Sequence, residues 1–226
     1  SSRETGKIHT SDFSDRAVGM YRDCCAGSLI MHILGHFKTI TKHKILVAKG
    51  CFKVGLYCQG IMHDMSKYSP TEFIPGAKYY QGNQSPNNIE RRKYGISRAW
   101  LHHKGRNRHH FEYWIDYSLN PDAKGLVGMK IPKKYMAEML VDRISAGKIY
   151  KKNDFTKESP LEYFNNGIGA SIMHEASKDY LMMLLTMYAE KGEKETFRYL
   201  KRDLKEDISG YDRISPFEKT GPVAIG

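Results

Sequence analysis

HDMSKY, residues 63–68, decides how the rest of the chain is read. A mostly apolar run ends there in a histidine and an aspartate, with a lysine three positions further on. Such an ending has two readings. Either the polar pair caps a helix and faces water, or it supplies ligands to a metal ion. The choice depends on whether further ligands stand elsewhere in the chain.

Ten histidines are present, unevenly spread. His32, His36 and His43 are spaced four and seven apart, which at about 100° per residue places them within roughly 40° of one another on a helix. AWLHHKGRNRHHFEYW, residues 99–114, holds His102, His103, His109 and His110. If one helix runs through it, His103, Asn107 and His110 share a stripe between Trp100 and Trp114, and His102 and His109 face about a third of a turn away. A break at Gly105 would instead let the two HH pairs converge from different elements; both geometries fit the residues. Clustering of this kind exceeds what a packed core wants, because each buried imidazole needs hydrogen-bond partners. His32, His36 and His174 read more simply as satisfied structural histidines.

Carboxylates complete the inventory. Asp64 has two oxygens, each with lone pairs, and can bridge two ions. Asp142 lies in EMLVDRISAG, beside a face carrying Met136, Met139, Leu140 and Ile144. A buried aspartate there needs a partner or costs several kcal/mol. Glu138, one turn earlier, is either an acceptor behind a ligand or a solvated partner of Arg143 or Lys134.

With 226 residues, 40% of them hydrophobic, the chain can bury a substantial core as one domain over 1–226. Helical periodicity runs over 14–49 (Leu29, Ile33, Ile40, Val47) and stops near Gly50, and a second helix spans Cys51 to Met62. HDMSKYSP reads as a helix end entering a loop, since Pro70 disfavours helix at the residue before it. GNQSPNN at 82–88 is turn chemistry. Residues 89–117 are helical in pattern, 120–130 a loop, and Pro132 opens a helix over KKYMAEMLVDRISAG. Two further helices follow at about 160–191 and 193–207, divided at Gly192, and an irregular tail covers 208–226. Alternating β patterns are scarce, so an all-α fold is expected, with a site-bearing core at about 28–150 and additional C-terminal helices. Trp100, Phe111, Tyr113 and Trp114 read as packing around a site rather than as a base-stacking platform, and MMLLTM as a core helix.

The longest apolar run, in YLMMLLTMYA, falls well short of the ~20 residues that cross a bilayer. SSRETGK has no basic start followed by an apolar stretch, so no secretory leader is expected. Cys24, Cys25, Cys51 and Cys58 form no C-x-x-C pair, which suits free thiols in a reducing cytoplasm. Cys51 and Cys58, seven apart, are expected to share a helix face. A formal charge of +11 attracts nucleotides, nucleic acids, anionic membrane surfaces and phosphorylated metabolites without choosing among them. Stretches such as KIYKK and KRDLKED read as solvated faces.

The order His43, His63-Asp64, Asp142 resembles the HD superfamily of metal-dependent phosphohydrolases, all-α proteins in which successive helices supply a histidine, the HD doublet and a final aspartate. The histidines between doublet and aspartate are similar to those of its binuclear branch. The resemblance implies one metal on His43, His63, Asp64 and Asp142, and a second on Asp64, His103, His109 and His110. It further implies that Lys67 contacts phosphate. Ser66 departs from that branch, which commonly has glycine before the lysine, and the later histidines are more closely spaced here. HDMSKYSPTEF, AWLHHKGRNRHHFEYW and IPKKYMAEMLVD also resemble a little-characterised family of small bacterial and phage proteins over about residues 40–150, with no settled activity.

The resemblance implies cleavage of a phosphomonoester or phosphodiester, nucleotide-like and anionic, by a metal-activated water. One or two ions of Mn, Fe, Ni, Co or Zn suit mixed imidazole and carboxylate ligation. Lys67, Arg106 and Arg108 would neutralise phosphoryl oxygens, and His102 or His36 would protonate the leaving group. Two alternatives stand beside this: a basic nucleic-acid-binding or interaction module with a structural metal, marked by salt-sensitive binding without turnover, and a di-iron oxygenase of the HD type.

Overall fold

The computed structural model describes residues 11–119, 125–167 and 169–216. The chain is all-α apart from one small hairpin. α1 (Ser11–Val54) is a single long helix, so the break expected near Gly50 does not occur. A Cβ at Gly50 would come within 2.5 Å of Val141 Cγ1; the glycine there permits a neighbouring helix to approach rather than ending its own. α2 (Tyr57–Met62) is correspondingly short. Cys51 is buried on α1 and Cys58 exposed on α2, so the two do not share a helix face. Cys24 and Cys25 lie where side chains are outside the described part.

After α2 the chain does not enter a loop. A 3-10 turn (Met65–Tyr68) leads directly into α3 (Pro70–Lys78), whose first position suits proline because the amide there has no helical acceptor. α4 (Pro86–Tyr94) starts in the same way, inside the segment read as turn chemistry. α5 (Arg98–Lys104) is capped by Ser97, whose Oγ accepts from Trp100 N at 3.1 Å. The helical pattern over 89–117 is thus interrupted twice and ends as a 3-10 turn (Phe111–Trp114) followed by β1 (Ile115–Ser118). Trp114 packs on Tyr135 and its Nε1 donates to Arg108 O at 2.8 Å, and these contacts turn the chain back on itself. β1 pairs antiparallel with β2 (Gly125–Gly128), Ile115 opposite Gly128.

α6 (Lys133–Tyr150) begins immediately after Pro132. α7 (Ser159–Asn165), α8 (Gly169–Ile172) and α9 (Glu175–Glu206) complete the described helices. α9 bends at Gly192, whose φ of 76° and ψ of −178° are open to glycine and strained for other residues, at the division expected from the sequence. His174 is structural, its Nδ1 accepting from Ala176 N at the start of α9. Residues 208–216 are not a loose tail: Tyr211 is buried and its hydroxyl donates to Ile131 O at 2.6 Å. Residues 217–226 lie outside the described part.

One cluster of buried side chains joins α1, α6, α7 and α9, with Val47, Leu140, Leu181, Leu184, Leu185 and Leu200 fully enclosed. Each such side chain contributes about 1.5–3 kcal/mol. This core presses one face of α6 against α1 and α9 and leaves the stripe carrying Glu138 and Asp142 for another purpose. Among the described residues no helix is long and apolar enough to cross a membrane.

Candidate metal centre

The buried stripe of α1 reads His36, Ile40, His43, Val47, Cys51, Val54. The helix therefore delivers an imidazole into the interior where its periodicity calls for an apolar side chain. His63 stands directly after α2, and Lys44 fastens that end by donating to Ile61 O and to His63 O, satisfying carbonyls a helix terminus leaves open. Asp64 then takes a left-handed conformation (φ 54°, ψ 25°), tolerated by aspartate at some cost. The reversal brings the two neighbours to one place, His63 Nε2 lying 3.4 Å from Asp64 Oδ2.

α5 ends at Lys104, and residues 105–110 fold as turns, so the break at Gly105 is the geometry adopted. It brings His103 Nε2 within 2.9 Å of His110 Nε2. Asn107 holds the turn by donating through Nδ2 to His103 O at 2.8 Å and to Ser66 Oγ at 2.8 Å. His103 and His109 both aim Nε2 at Asp64 Oδ1, at 3.3 and 3.4 Å. On the other side His43 Nε2 and His63 Nε2 lie 3.6 and 3.4 Å from Asp64 Oδ2, and 2.9 and 3.5 Å from Asp142 Oδ1.

Two four-residue sets result, sharing Asp64: His43, His63, Asp64 and Asp142, and Asp64, His103, His109 and His110. Within each, the ligand atoms lie within 4.8 Å of one another. The tautomers are set from behind. Glu138 Oε1 accepts from Nδ1 of both His63 (2.8 Å) and His109 (3.1 Å), and Glu72 Oε2 accepts from Nδ1 of His103 at 2.7 Å. With each Nδ1 proton so engaged, these imidazoles turn an Nε2 lone pair inward. Among the described residues Asp64 Oδ1 and His109 Nε2 are buried without a hydrogen-bond partner, and Asp64 Oδ2 meets the Lys67 ammonium alone as a donor. Lone pairs facing one another in a dry site repel, and burying carboxylate oxygens without donors costs several kcal/mol. A cation in each set relieves both penalties, so these residues can hold metal ions.

The charges follow the same logic. Burial opposes ionisation of Asp64, but His63, Lys67 and His103 outweigh it and hold the carboxyl well below its usual range. Asp142 is held low in the same way by His43 and His63. His110 is pushed well below the usual imidazole value by burial and by His109 and His103, which keeps it neutral, as a ligand must be. Lys67 Nζ lies 2.6 Å from Asp64 Oδ2. Burial works against its charge, and Asp64, Tyr150 and Asp142 overcome that and raise it.

His43, His63, Asp64, His103, His109, His110 and Asp142 are thus brought together with Lys67 beside them. The remaining candidates are placed differently. His102 shares Glu72 with His103, its Nδ1 2.6 Å from Oε1. His36 packs against Phe73 and Tyr80, and burial followed by the Lys67 charge lowers it to about 4. It is therefore neutral at physiological pH and lacks the imidazolium proton that a general acid would give a leaving group. Arg106 is exposed and donates to His102 O at 3.3 Å. Arg108 lies against the rings of Tyr113 and Tyr135 and donates to Tyr135 Oη at 3.1 Å. Among the described residues neither arginine pairs with a ligand carboxylate, because the turn after Gly105 points histidines inward and the arginines outward. Glu72 was not foreseen: in SPTEF it looks like an ordinary acidic residue in a helix first turn, and only its 6% exposure betrays it. Trp100 packs on His103 and His110, walling the second set.

No curated protein matches the chain, and no solved structure does. Residues 32–187 match a family of unknown function, DUF5662, a span that contains every residue of both ligand sets. The chain therefore belongs to that family.

Proposed function

We propose that the chain is a metal-dependent phosphohydrolase of the HD type, acting on an anionic phosphoester through two divalent transition metal ions. The observation that carries the reading is Asp64, one carboxylate whose two oxygens face two separate sets of imidazoles. Bound ions in such a pair polarise phosphoryl oxygens and activate water at neutral pH. Five imidazoles and two carboxylates suit Mn, Fe, Co, Ni or Zn better than the oxygen-seeking Ca or Mg.

The chain's own groups account for the rest. Lys67, kept cationic beside the shared carboxylate, neutralises charge on a phosphoryl oxygen. Glu138 and Glu72 lock the imidazoles in place, so little reorganisation is needed when substrate arrives. His102 has its Nδ1 on Glu72 and serves the leaving group through the opposite nitrogen.

The test is a screen of monoesters, diesters and nucleotides with Mn added, run beside Asp64→Ala. The expected result is turnover by the parent protein and loss of both turnover and metal in the variant, which stays folded. Retention of two ions per chain by Asp64→Ala would overturn the assignment. A second reading draws on the nitrogen-rich donor set, which also suits iron and oxygen chemistry. An absorption spectrum of iron-loaded protein under air that changes with turnover, alongside inert phosphoesters, would replace hydrolysis by oxidation.

A further inference from the structure

α1 changes character along its length. From Gly35 onward it has neighbours on one side: a Cβ at Gly35 would come within 2.5 Å of the Tyr80 ring, and His36, Ile40, His43 and Val47 are buried. Before Gly35 it is bare. Residues 29–34 are exposed without a break, although all of them except His32 are apolar. Leu29, Ile30, Met31, Ile33, Leu34 and Phe37 are between 37% and 72% exposed. At 100° per residue these six spread over roughly 200° of the helix surface, about twice the arc that a surface helix ordinarily gives to a core. An uncovered apolar surface of this extent marks an interaction site.

The chemistry of the stretch narrows what covers it. Cys24 to Phe37, fourteen residues, contain no aspartate, glutamate, lysine or arginine, in a chain of which 27% is charged. Acidic peptides and nucleic acid, which a formal charge of +11 draws elsewhere, find nothing to pair with here. A bilayer fits no better. Fourteen helical residues are about 21 Å long, short of the ~30 Å hydrocarbon layer, and a helix lying among headgroups needs a charged face opposite its apolar one. A second copy of the chain does fit. Each copy brings the same neutral surface, so a contact about a two-fold axis is self-complementary and sets no lysine against a lysine. The six side chains leave on the order of 600 Å² bare on each copy, near the roughly 800 Å² that each partner covers in a specific interface. The apolar surface also continues past Phe37, whose ring lies edge-on to Tyr68 at 6.1 Å, in the 3-10 turn that carries the exposed Met65.

We infer that the chain pairs with a second copy of itself through residues 29–37 of α1, the two helices covering each other's apolar surface. Both ligand sets are drawn from one chain, so each copy keeps its own complete centre.

Sedimentation equilibrium of the full chain, at low and at high salt, tests this. The parent should run at twice 26.0 kDa, and rising salt should not reduce that mass, since no ion pair holds the contact. Ile30→Glu combined with Leu34→Glu places carboxylates in the interface and should weaken pairing about a hundredfold or more. Metal content and circular dichroism should be unchanged, because both positions are exposed in the single chain. Ile30→Ala combined with Leu34→Ala, which keeps helix propensity, should weaken pairing about tenfold and decides the matter if the charged variant fails to fold. Ile96→Glu, at a comparably exposed apolar residue outside α1, is the control and should leave the mass at two chains. A parent that stays monomeric at its highest soluble concentration overturns the inference, and if it also sediments with phosphatidylcholine vesicles the surface belongs to a membrane. A dimer that both α1 variants leave intact overturns it by placing the interface elsewhere, and a dimer that salt dissolves overturns it as a contact held by charge.

Discussion

α6 contributes to two buried polar clusters, and they are built on opposite terms. At its first residue, Lys133 reaches Asp203 at 3.4 Å, Asp212 at 3.2 Å and also Asp207. Asp203 is completely enclosed, yet its oxygens accept from Tyr180 Oη at 2.6 Å, Ser209 N at 2.6 Å and Ser209 Oγ at 2.9 Å. Further along, the stripe of Glu138 and Asp142 meets Asp64, whose buried Oδ1 has no hydrogen-bond partner among the described residues and whose Oδ2 has only Lys67. Buried charge is common to both clusters and distinguishes neither. What separates them is valence: the Lys133 cluster is saturated by the chain itself and holds the C-terminal segment down, whereas the Asp64 cluster saturates only its outward-facing nitrogens and leaves its inward-facing atoms for a ligand.

The contrast is open to experiment. Asp64→Ala should produce the largest change, a fall from two bound ions to none and of phosphoesterase activity to background, by metal analysis and assay. Asp203→Ala should do the reverse. It leaves the Tyr180 hydroxyl and the Ser209 amide and hydroxyl without their acceptor and removes about 3–5 kcal/mol, a fall of roughly 6–20 °C in Tm for a chain of this size, while metal content at saturating Mn stays at two. Loss of metal in that variant would merge the two clusters into one cooperative unit.

Glu138→Gln tests the supports rather than the ligands. Its oxygen serves one imidazole from each set, so both ions should weaken together by roughly 10–100-fold, read by competition with a chelating dye. Weakening of one ion alone would mean that the sets are supported independently. Acid should separate the clusters more gently. Protons compete with metal for imidazole lone pairs as pH falls, so metal is expected to leave before the carboxylate cluster loosens. Asp207, held below its usual value by Lys133, contributes stability that is present above the unfolded carboxylate range and lost only as pH falls through its depressed value. Metal release at a higher pH than the one at which metal-free protein begins to lose melting temperature is the expected pattern.

Much of the centre was legible because ligand chemistry restricts residue type. His43, His63, Asp64 and Asp142 can be picked out as donors that an apolar stripe or helix end has no other use for. Glu138 was visible as a choice between two roles, and burial decides it. Glu72 was invisible, since nothing in SPTEF signals that α3 would carry its carboxylate to His102 and His103. Arg106 and Arg108 fall outside the cluster for a related reason. Proximity in sequence put Arg106 and Arg108 beside the histidines, but a tight turn sends alternate side chains to opposite sides. The helix at 89–117 failed similarly, because Trp114 finds Tyr135 and the chain folds back before its local pattern is used up.

HDMSKY is placed by the left-handed turn at Asp64, which brings His63, Asp64 and Lys67 together at a helix end, where the first two could hold a metal ion. The sequence by itself determined the helical character, the donor types and their order along the chain, since these depend on periodicity and on which side chains have lone pairs to offer. Only the tertiary structure decided which nitrogens face inward, which carboxylates stand behind them and on which side of the turn the arginines fall. Those are properties of convergence between segments far apart in the chain, where burial and shared hydrogen bonds, rather than local pattern, set the outcome.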